Sequence, residues 1–158
     1  MIVSSLTQAP YVDSQRKAIE DALELAKPKV GEAVFDLGCG DARTLIFAAK
    51  KYGTKGVGYE ISPFCVIKSR LKIYLAGLSG QIKICRQSLF AADFHQADIV
   101  YLYLTNSILD KLEPIIFDKC KAGCRIVNLA FPFKNHQPTA EIPARQLGRI
   151  TKIYLYRV

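Results

Sequence analysis

The stretch Val34-Phe35-Asp36-Leu37-Gly38-Cys39-Gly40-Asp41-Ala42-Arg43 carries an apolar strand into a glycine turn, with an acid on either side of it. Glycines at the carboxyl end of a strand let a ligand approach the backbone, and a following helix presents its N-terminus to negative groups. That much suits any nucleotide. Dinucleotide folds space their glycines as G-x-G-x-x-G, and in this register the third position is Arg43, too bulky for close helix packing. A pyrophosphate is therefore disfavoured, and Asp36 and Asp41 suit a ligand that carries an ammonium group and no phosphate.

Around this turn, strand-like and helix-like stretches alternate, the pattern of a mostly parallel sheet covered on both faces. Asp13 to Lys27 has apolar residues at helical spacing and stops at Pro28. Strands are expected at 33–37, 56–59, 82–85, 98–104 and 125–130. Helices are expected at 42–52, from Ser62 to about Ala76, and over 107–120 with an interruption near Pro114. Phe131 to Leu147 reads as a long connection with a short strand around Ala140 to Ile142, and 150–157 as a last strand. With 158 residues and 50% hydrophobic content, the chain suits one α/β domain built on a doubly wound sheet.

Met1 to Pro10 lacks the pattern of a secretory signal, and no apolar run reaches the roughly 18 residues of a membrane span. The expectation is a soluble cytoplasmic protein with no membrane partner. Five scattered cysteines, an odd number, read as free thiols and not as a disulfide framework. The net charge of +8 favours acidic partners without choosing among them, because the basic clusters are spread along the chain.

In such sheets ligands bind outside the carboxyl ends of the strands. Glu60 ends the second strand, 22 residues after Gly38, near the spacing at which an acid takes ribose hydroxyls. An adenosyl cofactor with an ammonium group and no phosphate is S-adenosyl-L-methionine, whose product is S-adenosyl-L-homocysteine. At the end of the third strand, where an acid for the adenine amino group is usual, stands Gln87-Ser88-Leu89-Phe90. Ser88 offers one polar contact, Leu89 or Phe90 can pack on a purine, and Asp93 is a nearby substitute acid. The fourth strand ends in Tyr101-Leu102-Tyr103-Leu104-Thr105-Asn106, with Tyr101 and Tyr103 on one side and no D/N-P-P-Y/F signature of base-amine chemistry.

Beyond the D-x-G-x-G turn, the chain carries Ala9-Pro10-Tyr11-Val12, Gly58-Tyr59-Glu60-Ile61-Ser62, Ala97-Asp98-Ile99-Val100-Tyr101-Leu102-Tyr103-Leu104 and Ile153-Tyr154-Leu155-Tyr156-Arg157-Val158. With these it resembles the small seven-strand, class I protein-lysine methyltransferases, a group with broad-specificity archaeal and mitochondrial members. The resemblance implies a Rossmann-like core over 31–158 with an antiparallel C-terminal strand, preceded over 1–30 by a lid segment and a leading helix. It implies that Tyr11 and Tyr103 line the channel for the acceptor lysine. It also implies that Asp36, Gly38, Cys39, Gly40, Asp41, Glu60, Ile61, Ser88 and Leu89 hold the cofactor, with no metal.

Methyl transfer from a sulfonium is an in-line displacement that needs a neutral, aligned nucleophile and exclusion of water. His95 and His136 read as surface residues, so no dedicated base stands out. The expected partner is a protein presenting lysine. The alternatives are an RNA or small-molecule methyltransferase with the same cofactor, or a cofactor-binding module without catalysis.

Overall fold

In a computed structural model, which describes residues 16–158, seven strands form one sheet in the order β3-β2-β1-β4-β5-β7-β6. The elements follow as α1 (Arg16–Ala26), β1 (Ala33–Leu37), α2 (Arg43–Tyr52), β2 (Lys55–Glu60), α3 (Pro63–Leu75) and β3 (Ile82–Arg86). They continue as β4 (Ile99–Leu102), α4 (Asn106–Lys119), β5 (Arg125–Leu129), β6 (Ala140–Gln146) and β7 (Arg149–Arg157). β1 to β5 pair in parallel, and β7 runs antiparallel between β5 and β6. The order reverses between β1 and β4, and the crevice at their carboxyl ends is where an open α/β sheet accepts ligands.

Alternation along the strands separates two cores. Val34, Ile84, Ile99 and Val127 face one way, with α1 and α2 packed over them. Phe35, Leu37, Val100 and Ile126 face the other way, towards Leu109 and Leu112 of α4 and towards Phe94. Arg125, 8% exposed at the start of β5, donates to the Ala26 and Lys27 carbonyls at 2.8 Å and pairs with Glu32 at 2.6 Å. A cation on the last carbonyls of α1 satisfies groups that the helix leaves open and fixes its end against the sheet.

The element order matches the sequence expectation, most described bounds agree to within a residue or so, and three elements differ more. β4 ends at Leu102, so Tyr103 and Leu104 lie beyond it. α4 continues through Pro114 without interruption. Proline removes one helical hydrogen bond, but Ile108, Leu109, Leu112 and Ile116 are buried along the sheet, and Glu113 receives the backbone N–H groups of Lys134 and Asn135. β6 extends to Gln146 because β7 pairs with it along its whole length, and Pro143 is accommodated on an edge strand. Leu147 and Gly148, both at positive φ, close the hairpin in two residues. No helix among the described residues is long and apolar enough to cross a membrane.

Candidate active site

The glycine turn is held by β2. Gly38 N–H and Cys39 N–H both donate to the Tyr59 carbonyl, at 2.8 and 3.1 Å, and Gly40 N–H donates to Glu60 Oε2 at 3.0 Å. The three amides that would cradle a pyrophosphate are therefore engaged within the protein. This agrees with the exclusion of a phosphate ligand and supplies a second reason for it. Gly38 and Gly40 have φ of 81° and 54°, and Ala42, which carries a side chain, has 62°. Strained backbone of this kind accumulates at functional turns.

Cys39 contributes backbone to the turn, and its side chain lies against the sheet. It is 5% exposed, and a Cβ placed on Gly58 would meet its Sγ at 2.6 Å. Gly58 is therefore a turn-positioning residue that the sequence reading passed over. The available signal was a glycine inside a strand, which marks close approach of other atoms.

The three acids behave differently. Asp36, 4% exposed, lies between Gly58 and Tyr101 in the sheet register. Burial pushes its carboxyl up to about 8, Glu60 and Asp41 add to the rise, and a hydrogen bond with Thr44 opposes it. Asp41 is buried as well, which by itself would raise its pKa. The hydrogen bonds and charges of Arg43 and Lys72 overcome that and hold the carboxyl well below the usual carboxylate range. Arg43 grips it with Nε at 2.9 Å and Nη2 at 3.0 Å, Lys72 bonds to Oδ2, and Lys68 stands at 3.9 Å. The expected pair of negative charges around the turn is thus one protonated acid and one carboxylate already neutralised by its own chain.

Glu60, 8% exposed, accepts from Ile61 N–H and Ser62 N–H on Oε1, both at 2.9 Å, and from Gly40 N–H on Oε2. A carboxylate offers about four acceptor positions, so the open one is on Oε2. Its capacity is one further hydroxyl proton, where the sequence reading allowed two.

Ser88 accepts from Phe90 N–H at 3.3 Å and caps a short 3-10 turn over Leu89–Ala91, and Leu89 is half-buried against the α4-side core. Ile61 is half-buried just past the end of β2. Asp93 is a surface residue whose carboxylate pairs with His95 at 2.6 Å. Asp98 sits at the amino end of β4, bound to Ala33 N–H at 2.8 Å and Lys121 at 2.6 Å, away from the carboxyl edge. Tyr101 is 2% exposed, and Tyr103, just past β4, is half-buried against the same core. Tyr11 lies outside the described residues. His136 bonds to Glu113 at 2.7 Å and stacks on Phe117 at 3.5 Å, which fixes the segment after β5 to α4.

A groove of about 660 Å³ opens beside the turn between α1, α2 and α3, bordered by Arg16, Arg43, Lys50 and Lys72 over a floor that includes Ile46 and Phe47. Gly38, Glu60 and Tyr103 do not line it. Among the described residues no group of three metal-ligating side chains comes together. The carboxyl edge instead offers a turn whose Gly38, Cys39 and Gly40 amides are engaged within the protein, and a buried glutamate with one open acceptor position. That arrangement suits the ribose of an adenosyl cofactor and disfavours a pyrophosphate on the turn.

The ANTKMT methyltransferase domain model matches residues 36–140. A protein-lysine N-methyltransferase of Saccharolobus islandicus is 30% identical over 98% of this chain and 96% of its own length. The adenine nucleotide translocase lysine N-methyltransferase of Mus musculus is 32% identical over 85% of this chain, which spans 58% of the mouse protein. The crystal structure of an RNA methyltransferase from Salinibacter ruber, in complex with S-adenosyl-L-homocysteine, superposes with a TM-score of 0.86 at 32% identity, covering 92% of this chain and 93% of that one. Sequence family, sheet order and the phosphate-excluding turn agree: the chain belongs to the ANTKMT methyltransferase family and is an S-adenosylmethionine-dependent methyltransferase.

Proposed function

We propose that this methyltransferase acts on the ε-amine of lysine in protein substrates. The observation that carries the reading is the end-to-end similarity to the Saccharolobus lysine methyltransferase, 98% of one chain against 96% of the other. The cofactor supplies an electrophilic methyl group on a sulfonium. The protein's part is to hold the cofactor and align the amine, and we assign the first to Glu60 and the glycine turn and the second to Tyr103, with Tyr11.

The amine must lose a proton before it can attack. With a reference pKa near 10.4, that costs roughly 4.6 kcal/mol at pH 7. Desolvation and a neighbouring cation both disfavour the ammonium form and lower the cost. Both histidines are engaged elsewhere, His95 with Asp93 and His136 with Glu113. We therefore assign deprotonation to the environment of the acceptor channel and not to an imidazole. Five free thiols suit a reducing compartment, and we place the protein in the cytoplasm.

Incubation with labelled S-adenosylmethionine and a mixture of cellular proteins, followed by mass-spectrometric mapping, is expected to place the label on lysine side chains. A second reading, methylation of RNA, is favoured by the likeness to the Salinibacter ruber RNA methyltransferase and by the charge of +8. Label that enters RNA while proteins stay unlabelled would establish the second reading and overturn the first.

A further inference from the structure

Helix α3 is apolar on two opposite faces. Cys65, Val66 and Ile73 are buried on the sheet side, together with Ser69. On the outside, Phe64, Ile67, Leu71 and Tyr74 follow one another at spacings of three, four and three, with 60%, 69%, 56% and 72% of their surface exposed, and Leu75 is 74% exposed beside them. At about 100° per residue these positions form one stripe directed away from the buried face. The other exposed large apolar residues, such as Val30 and Phe131, are scattered over separate elements, which is ordinary for a soluble surface. A stripe of five on one helix is not.

The charge around the stripe has a single sign. From Ile61 to Ala92 the chain contains no aspartate or glutamate, and it carries Lys68, Arg70, Lys72, Lys83 and Arg86. By helical angle, Lys68 and Lys72 flank the stripe on one side and Arg70 on the other. Arg70 also donates to the Ile84 carbonyl of β3, the edge strand, at 3.1 Å. The nearby carboxylates are both buried: Glu60 accepts three backbone N–H groups, and Asp41 faces three cations, Arg43, Lys68 and Lys72. A second copy laid stripe to stripe would set lysine and arginine against the same residues with no acid to pair them. Nucleic acid would match the cations and leave Ile67, Leu71 and Leu75 without a partner. An anionic lipid surface answers both features, because a basic amphipathic helix places its apolar face at the headgroup–acyl boundary and its cations among the headgroups.

We propose that α3 docks this protein on the surface of an anionic lipid bilayer, lying in the interface plane without crossing it. This proposal departs from the expectation of no membrane partner, and it does not depend on which acceptor is methylated.

The test is co-sedimentation of the full chain with vesicles of phosphatidylcholine mixed with phosphatidylglycerol, and with vesicles of phosphatidylcholine alone. The protein is expected to pellet with the mixed vesicles, less so as salt is raised, and to remain in solution with phosphatidylcholine alone. The double substitution Ile67→Ser with Leu71→Ser should weaken vesicle binding about tenfold or more. Tyr74→Ser with Leu75→Ser, at the other end of the stripe, should act in the same direction. Melting temperature and cofactor affinity should be unchanged in both variants. Absence of pelleting, or equal pelleting by wild type and both variants, would overturn the proposal. So would a concentration-dependent dimer abolished by the same substitutions, which would assign the stripe to a second copy.

Discussion

Asp36→Asn tests the electrostatics of the turn directly. The amide has nearly the shape of the acid and carries no titrating proton. Wild-type Asp36 is 4% exposed and its carboxyl is pushed up to about 8. At pH 7 the folded protein therefore keeps a proton that an unfolded aspartic acid, ordinarily near 3.8, has lost. Stability falls as pH rises wherever the folded state binds more protons than the unfolded one. Between pH 4 and pH 7 the loss is about 4 kcal/mol, at roughly 1.36 kcal/mol for each pH unit. Asparagine escapes it, less about 1 kcal/mol if the hydrogen bond with Thr44 is made less well. The variant should lie about 1 kcal/mol below wild type near pH 4 and about 3 kcal/mol above it at pH 7, read by urea unfolding at a series of pH values. The groups that Arg43, Lys121 and His136 hold below the ordinary carboxylate range, Asp41, Asp98 and Glu113, contribute stability that is lost only as pH falls. They are common to both proteins and cancel in the difference. Identical pH profiles for the two proteins, or a wild type that gains on the variant as pH rises, would refute a buried, protonated Asp36.

A cation bound beside Asp36 favours its carboxylate, so S-adenosylmethionine affinity should rise from pH 6 towards pH 8 by up to about tenfold per pH unit, with proton release in calorimetry. Asp36→Asn should flatten that rise. Glu60→Gln should weaken cofactor binding by about 1–3 kcal/mol and lower stability by a similar amount, because an amide nitrogen on the Oε2 side faces the Gly40 N–H; unchanged affinity would remove Glu60 from the site. Tyr103→Phe should lower kcat with cofactor affinity preserved, and equal losses in both would place it on the cofactor side. Gly58→Ala should cost about 2 kcal/mol of stability and weaken cofactor binding, because the new methyl meets Cys39 Sγ. Adding Cys39→Ala should restore part of both, and a purely additive double variant would show that the two positions do not share the strain.

Legibility of the fold followed the range of the forces involved. The strands at 33–37 and 82–86 and the helix after Ser62-Pro63 rest on local alternation, spacing and capping, and the structure places them within a residue or so of expectation. The length of β6 was not legible, because pairing with β7 extends it, and the continuity of α4 was not, because Glu113 is anchored by residues more than twenty positions away.

The same division runs through the site. By itself the sequence determined the strand, glycine turn and helix, the exclusion of a third glycine at Arg43, and an acid at Glu60, since each depends on residue type and short-range order. Only the tertiary structure decided what those groups do. β2 consumes the amides of the turn, Glu60 is left with one open acceptor position, and Asp41 is neutralised by Arg43 and Lys72. Asp36 becomes a protonated acid, and the described residues leave one face of α3 exposed. Burial and charge depend on neighbours brought together from distant parts of the chain, and no local pattern records which neighbours those will be.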